Sequence, residues 1–256
     1  MAPALRLVCP GMVLTSLGVD IGGSGIKAGV VDVTQGMLVG ERVRVPTPQP
    51  ATPDAVVGAV ADLVAGFRYD GPVGIGFPSV VEGGVVWTAN NIDRSWIGVN
   101  ALDAFGSALG REVGVINDAD AAAICEARYG AARAVSGLVL VLTFGTGIGS
   151  GMLHDGRLIP NVEVGGMELE GHERAEFHFS DKARKAESLS WEEWGERTGR
   201  FLHHMKLVFA PRLIVIGGGV VSDWNKWSRH LPTDLRVLPA TRGNHAGIVG
   251  AATLVG

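Results

Sequence analysis

The sequence predicts an α/β protein built from two related halves, and three observations carry that reading. Short apolar segments of strand length alternate with helix-forming stretches along the chain. A strand, glycine turn and strand pattern occurs twice, as Ser24-Gly25-Ile26-x-x-Gly29-Val30-Val31 and as Thr146-Gly147-Ile148-x-x-Gly151-Met152-Leu153. Glycine supplies 38 of 256 residues without a three-residue period, which excludes collagen, and the 46% hydrophobic content argues against disorder. Two matched turns, each following an apolar strand, point to a duplicated unit whose halves face each other.

The elements follow in order. Leu17 to Gly22 reads as a strand entering a glycine turn, and the chain leaves it as a second strand to Asp32. Met37 to Val45 completes an antiparallel meander. Pro46 to Pro53 holds four prolines in eight positions and is a loop. Thr52-Pro53-Asp54 then caps a helix to about Phe67, with proline at its first position. Val73 to Phe77, Val113 to Ile116 and Leu138 to Phe144 are buried strands, and the alanines of Ala119 to Tyr129 favour helix. The stretch from Glu168 to Glu187 is rich in charge and reads as a surface excursion. Ser190-Trp-Glu-Glu193 is a capping box opening a helix to about Phe209, with Trp194, Phe201, Met205 and Val208 on one side. Leu213 to Ile216 is a strand running into Gly217-Gly218-Gly219, and Asn244 caps a closing Ala- and Gly-rich helix.

Composition narrows the partners. The net charge of −4, from 22 Lys and Arg against 26 Asp and Glu, gives no electrostatic case for nucleic acid. Two cysteines, Cys9 and Cys125, are too few for a disulfide framework or a four-thiolate zinc site, which suits a reducing, cytoplasmic setting. The longest apolar runs fall far short of the roughly 18 residues a membrane helix needs, so no membrane partner is expected. Met1 to Thr15 lacks the apolar core of a signal peptide, and residues 1–16 read as an N-terminal extension.

Glycine turns after strands let backbone N–H groups converge on a phosphate, because no Cβ blocks the approach and φ can be positive. Gly22, Gly23, Ser24 and Gly25 with Lys27 form one candidate, and Thr143, Gly145, Thr146 and Gly147 the other. Each turn alone reads better as a plain tight hairpin; the pair favours phosphate binding. Asp20 sits where a carboxylate holds Mg²⁺ through water. Asn117-Asp118 closes one strand and opens a helix, a position that is commonly only a cap. Asn91 and Glu163 add polar groups on loops, the mixture that sugar hydroxyls need.

Gly-Phe-Pro-Ser at 76 to 79, Asn-Asp-Ala at 117 to 119 and Leu-Thr-Phe-Gly-Thr-Gly at 142 to 147 join the turn at Asp20. Together they resemble the repressor/ORF/kinase (ROK) sugar kinases of the actin-like ATPase superfamily. Asn-Ile-Asp-Arg-Ser-Trp-Ile-Gly at 91 to 98, Leu-Ser-Trp-Glu-Glu-Trp at 189 to 194, Gly-Gly-Gly-Val at 217 to 220 and Asn-His-Ala-Gly-Ile-Val-Gly-Ala-Ala at 244 to 252 are similar to the polyphosphate-using glucokinases of that family. The likeness runs from about Leu17 to the C-terminus.

The resemblance implies a two-domain, ribonuclease H-like fold with the active site in the interdomain cleft. Residues 17–118 plus 243–256 would form a smaller domain and 119–242 a larger one. It implies a phosphotransferase acting on the 6-hydroxyl of glucose with Asp118 as general base, and a sugar site of Ser79, Asn91, Asn117, Asp118, Glu163 and, more weakly, Glu168. Gly217, Gly218 and Gly219 would accommodate a nucleotide, so the donor is inorganic polyphosphate or ATP with Mg²⁺. A basic track for polyphosphate would draw on Lys27, Lys182, Arg184, Lys185, Arg197 and Arg200.

Two departures from the family pattern matter. Gly171-His172 is followed by no cysteine cluster, so no structural zinc is expected, and His172, His178, His203 and His204 read as packing or surface residues. Glu163-Val-Gly165-Gly166 stands where the family has Glu-x-Gly-His, whose histidine touches the sugar near C1 and C2. Gly166 removes that contact, which implies that mannose is accepted alongside glucose. A strictly ATP-dependent hexokinase and a non-catalytic sugar sensor are the alternatives. A repressor would need a DNA-binding module before the first strand. The expected assembly is a monomer or homodimer.

Overall fold

The computed structural model describes residues 14–256; the expected extension lies outside the described residues as far as residue 13, and Cys9 with it. β1 (Thr15–Gly22) runs antiparallel to β2 (Gly25–Asp32) with Gly22 opposite Gly25, so Gly23 and Ser24 alone make the turn. The expected third strand of the meander is split. β3 (Met37–Leu38) and β4 (Val43–Val45) pair with different stretches of β2, and Gly40 at φ 88° lies between them.

α1 (Pro53–Ala65) begins on its proline as expected, but Thr52 makes no side-chain capping bond and the helix closes at Gly66 rather than Phe67. β5 (Val73–Phe77) is wholly buried, and β6 (Val81–Glu82) pairs with β7 (Val85–Val86) in a small hairpin. α2 (Ala101–Leu109) was not among the expected elements. Its signals are local: the Asn100 side chain accepts from the Asp103 N–H, and Gly110 at φ 59° ends it. β8 (Val113–Asn117) passes directly into α3 (Asp118–Tyr129).

The second half repeats the plan. β9 (Leu138–Phe144), β10 (Ile148–His154) and β11 (Arg157–Ile159) form its meander. α4 (Glu176–Phe179) and α5 (Asp181–Ala186) follow, then α6 (Trp191–Phe209), β12 (Leu213–Gly218), α7 (Trp224–Trp227), β13 (Val237–Pro239) and α8 (Ala246–Thr253). The strand orders are β3-β2-β1-β5-β8 and β11-β10-β9-β12-β13. In both, two antiparallel pairings are followed by two parallel ones, so the match between the glycine turns is a duplication of whole sheets.

Residues 168–187 are more than a surface excursion. Ala175 and Phe179 there are fully buried against the second sheet. α6 carries its capping box in full: Ser190 Oγ accepts from the Glu193 N–H at 3.2 Å, and Glu193 Oε2 accepts from the Ser190 N–H at 2.9 Å. Trp194, Phe201 and Met205 face the core, whereas Val208 is 61% exposed, a turn beyond the packed stripe. Ser190→Ala is expected to cost about 1 kcal/mol, read as a thermal midpoint lower by roughly 2–4 °C. Asn244 does not cap α8, because the 3₁₀ turn Gly243–His245 makes His245 the preceding residue.

α3 and α8 pack on each other between the sheets, α8 against β1 and β5 and α3 against β9 and β10. Glycine makes that approach possible. A Cβ on Gly18 or Gly74 would enter the carbonyls of Ile248 or Ala251, and one on Gly151 would lie 2.8 Å from the Ala119 oxygen. Among the described residues, no helix is long and apolar enough to cross a membrane.

Candidate active site

Both sheets point their first hairpin turns into one cleft of about 560 Å³. Gly22, Gly23 and Ser24 line it from the first half, and Thr143, Gly145, Thr146 and Gly147 from the second, with Gly217, Gly218 and Gly219 beside them. Asp20, Lys27, Ser79, Asn91, Asn117, Asp118 and Glu163 complete the wall. Two expected residues are elsewhere. Gly25 lies behind the turn under the Arg44 guanidinium, whose Nη2 would be 2.5 Å from a Cβ there, and Glu168 is exposed and does not line the cleft.

The turn glycines serve by size rather than by left-handed backbone. None of Gly22, Gly23, Gly145 or Gly147 has positive φ, whereas Gly218 adopts φ 84°. A Cβ on Gly23 would come within 3.0 Å of the Asn91 carbonyl, and one on Gly147 would strike the Glu176 carboxylate. The Asn91 loop is thus wedged beside the first turn while Glu176 backs the second.

Asn117 ends β8 and caps α3. Its Oδ1 accepts from the N–H groups of Ala119 at 2.9 Å and Asp120 at 3.0 Å, satisfying two donors of the first helical turn. Its amide donates to the Ser79 carbonyl at 3.1 Å and to Glu163 Oε1 at 3.4 Å, so one side chain orients the helix, the Ser79 loop and the Glu163 carboxylate. Ser79 Oγ is buried without a hydrogen-bond partner among the described residues and lies on the cleft wall.

Asp118 is the first residue of α3, with Oδ1 accepting from the Ala119 N–H at 2.8 Å. Burial first, and then the facing Asp20 carboxylate, push its pKa up from 3.8 to about 7; Glu163 and Asp120 add to the rise and the Ala119 N–H opposes it. Such a carboxylate accepts a proton readily near neutrality, the property of a general base. Burial, Glu176 and Asp120 also raise Glu163, which Arg174 opposes.

Sequence reasoning missed four supporting residues. Asp120 is fully buried, and its Oδ2 accepts from the Asn161 N–H at 2.8 Å. Asn161 reaches across to β6, accepting from the Val81 N–H at 3.3 Å and donating to its carbonyl at 3.0 Å. Glu163 therefore sits on a loop pinned to both halves. Arg174 and Glu176 join the wall from the charged stretch before α4; the even spacing Asp118, Asp120 was the one available signal, for Asp120.

Lys27 Nζ contacts Asp20 Oδ2 at 3.0 Å, and a Cβ on Gly247 would lie 2.9 Å from the Asp20 Cγ. Asp20 is thereby fixed beside both turns, and the facing charges of Asp20 and Asp118 suit a divalent cation held through water and phosphate oxygens. The expected basic track is largely neutralised: Arg184 and Lys185 pair with Asp181 at 2.7 Å, Arg197 with Glu187 at 2.7 Å and Arg200 with Glu170 at 3.3 Å. His172 and His178 stack on each other with ring centres 4.0 Å apart.

The ROK family model matches residues 16–178. The chain belongs to the ROK family. It is 47% identical to the polyphosphate glucokinase of Mycobacterium tuberculosis over 92% of this chain and 89% of that one. The crystal structure of the inorganic polyphosphate/ATP-glucomannokinase from Arthrobacter sp. strain KM superposes with a TM-score of 0.91 at 46% identity, covering 94% of this chain and 98% of that one. The ROK family glucokinase from Streptomyces griseus, solved with glucose and AMPPNP, gives 0.81 at 27% identity, covering 94% and 99%. The paired sheets, of six strands and of five, are the actin-like ATPase fold of ROK sugar kinases.

Proposed function

We propose that this ROK protein is a sugar kinase that transfers a phosphoryl group from inorganic polyphosphate or ATP to the 6-hydroxyl of glucose, and of mannose. The observation that carries the reading is Asp118, with its pKa pushed up to about 7, facing two glycine turns across one cleft. The similarity to a polyphosphate glucokinase and to a polyphosphate/ATP-glucomannokinase supports the donor and the sugars.

The sugar lies between Asn91, Asn117, Asp118 and Glu163, with Ser79 on the wall beside them. Asp118 Oδ2 takes the proton of the 6-hydroxyl as its oxygen attacks the donor's terminal phosphorus, and the bond from that phosphorus to the bridging oxygen breaks, releasing polyphosphate one unit shorter, or ADP. The Gly22–Ser24 and Gly145–Gly147 turns hold the phosphoryl oxygens by backbone N–H and hydroxyl groups, so catalysis is mainly positioning and charge stabilisation. Lys27 holds Asp20 in orientation, its Nζ 3.0 Å from Oδ2. Asp20 is the residue that would hold Mg²⁺ through water, and the ion when bound neutralises charge on the donor phosphates. The Gly217–Gly219 segment takes the nucleotide when ATP is the donor. Residues 17–118 with 243–256, and 119–242, act as two lobes whose closure excludes water.

The test is product formation with each donor and each sugar separately. Glucose 6-phosphate is expected with polyphosphate and with ATP, and mannose 6-phosphate alongside it; activity with ATP alone would confine the protein to a nucleotide donor. Gly166→His is expected to lower kcat/KM for mannose relative to glucose by about tenfold or more. An unchanged ratio would remove position 166 from sugar choice.

A further inference from the structure

Gly166 does not face empty space. A Cβ built on it would point at Arg174, 3.6 Å from Nη2 and 3.9 Å from Cζ. Arg174 lines the cleft together with Glu163 and Asn91, and its side chain is only 26% exposed. Two hydrogen bonds and one ion-pair contact engage its three nitrogens. Nε and Nη2 both reach Glu176 Oε1, at 2.8 and 2.7 Å, and Nη1 donates across the cleft to Asn90 Oδ1 at 3.4 Å. That leaves one N–H on Nη1 and one on Nη2. Glu176 is itself anchored, since its Oε2 accepts from the Ile148 N–H at 3.3 Å, directly after the second phosphate turn.

We propose that Arg174 is a specificity-determining residue that donates its two spare N–H groups to sugar hydroxyls on the Glu163 side of the ring. It is the group that a side chain at 166 would touch, since a Cβ there would lie in van der Waals contact with the guanidinium. The inference rests on the sugar-kinase reading and deepens it. A guanidinium held by Glu176 on one edge is oriented but not boxed in, because no side chain at 166 packs against its face. Its planar fork serves a hydroxyl on either face of the ring carbon nearest it, which gives tolerance of C2 configuration together with a charge-assisted contact. The same guanidinium opposes the burial-driven rise of the Glu163 pKa, so it also favours the ionised, hydrogen-bond-accepting form of that carboxylate.

The experiment compares wild type, Arg174→Ala and Arg174→Gln with glucose, 2-deoxyglucose, 1,5-anhydroglucitol and mannose. A charge-assisted hydrogen bond lost from a buried site predicts a 10- to 100-fold fall in kcat/KM for glucose, carried mainly by KM. The fall is expected to be threefold or less for whichever analogue lacks the hydroxyl that Arg174 contacts, while the donor KM and the melting temperature stay near wild type. An equal fall for all four sugars, or a rise in donor KM matching that for sugar, would make Arg174 a merely structural brace and overturn the proposal. Unchanged kinetics in both variants would overturn it as well. Calorimetric titration of glucose keeps the two readings apart. If wild type binds glucose without phosphorylating it, the kinase reading fails, and a tenfold weaker glucose affinity in Arg174→Ala still supports the sugar contact.

Discussion

Asp118→Asn is expected to lower kcat by roughly 10²- to 10⁴-fold, the usual contribution of a positioned proton acceptor, while glucose affinity stays within about threefold. The reason is local. Asn117, not Asp118, makes the two capping bonds that start α3, so the substitution leaves the helix and the Glu163 brace in place. The amide retains hydrogen bonding to the sugar but takes no proton. Steady-state kinetics with saturating donor check this, and near-normal turnover would remove Asp118 from the base role.

The same residue sets the pH response. With its pKa at about 7, wild-type kcat/KM should rise as Asp118 ionises and level off above neutrality. Stability should move oppositely. A carboxyl whose folded pKa lies above its unfolded value of 3.8 contributes stability below that value, and the contribution is lost as pH rises through about 7. Asp118→Asn should therefore melt higher than wild type at pH 8 and nearly together with it at pH 4, a difference on the order of 1–3 kcal/mol. Asp20, Glu163, Asp120 and Lys27 surround the site, and Asp120, with its own pKa at about 6, makes the wild-type profile broader than a single titration.

Gly250→Ala is expected to be the most damaging single-methyl change in the protein. Gly250 lies on the face of α8 against α3, and a Cβ there would run into the Ala121 carbonyl and its Cα. Neither partner can yield by rotating a side chain, since the obstruction is main chain. One helix must move off the other, and close-packed interiors resist such shifts. A loss of about 3 kcal/mol or more is expected, with turnover falling too, because α3 carries Asp118 at its first position. Denaturant unfolding measures the first effect; a midpoint unchanged from wild type would mean that the helices do not meet here. Gly58, an exposed position on α1 where a Cβ would touch nothing within 4 Å, is the matched control, and Gly58→Ala should be neutral or stabilising.

How much of this was legible in the sequence depended on how local the signal was. The paired turns were readable because each is a short string directly after an apolar strand, and the Ser190 box because its two residues bond each other. Asn117-Asp118 was readable as a helix start, though only the structure shows the amide reaching Ser79 and Glu163 as well. Arg174 and Glu176 were invisible. They come from a stretch whose charge density reads as solvated surface, and their partners Asn90 and Ile148 are 84 and 28 residues away. Glu168, two residues beyond Gly166, is exposed rather than turned into the vacated region, while Arg174, eight residues beyond, faces it. The closing glycines were visible in the 244–252 motif, but their packing role was not, since what they make room for is a helix from the middle of the chain.

The destination of the phosphoryl group decides the roles of Asp118 and the two glycine turns. Purified protein incubated with glucose, Mg²⁺ and long-chain polyphosphate, and separately with ATP, would be followed by ³¹P and ¹³C nuclear magnetic resonance. The expected result is phosphate on O6 of glucose, formed one for one with phosphoryl groups lost from the donor and abolished in Asp118→Asn. Donor consumed without a sugar phosphate, phosphorylation at another oxygen, or no turnover with either donor would contradict the assignment of Asp118 and the two glycine turns to sugar phosphorylation.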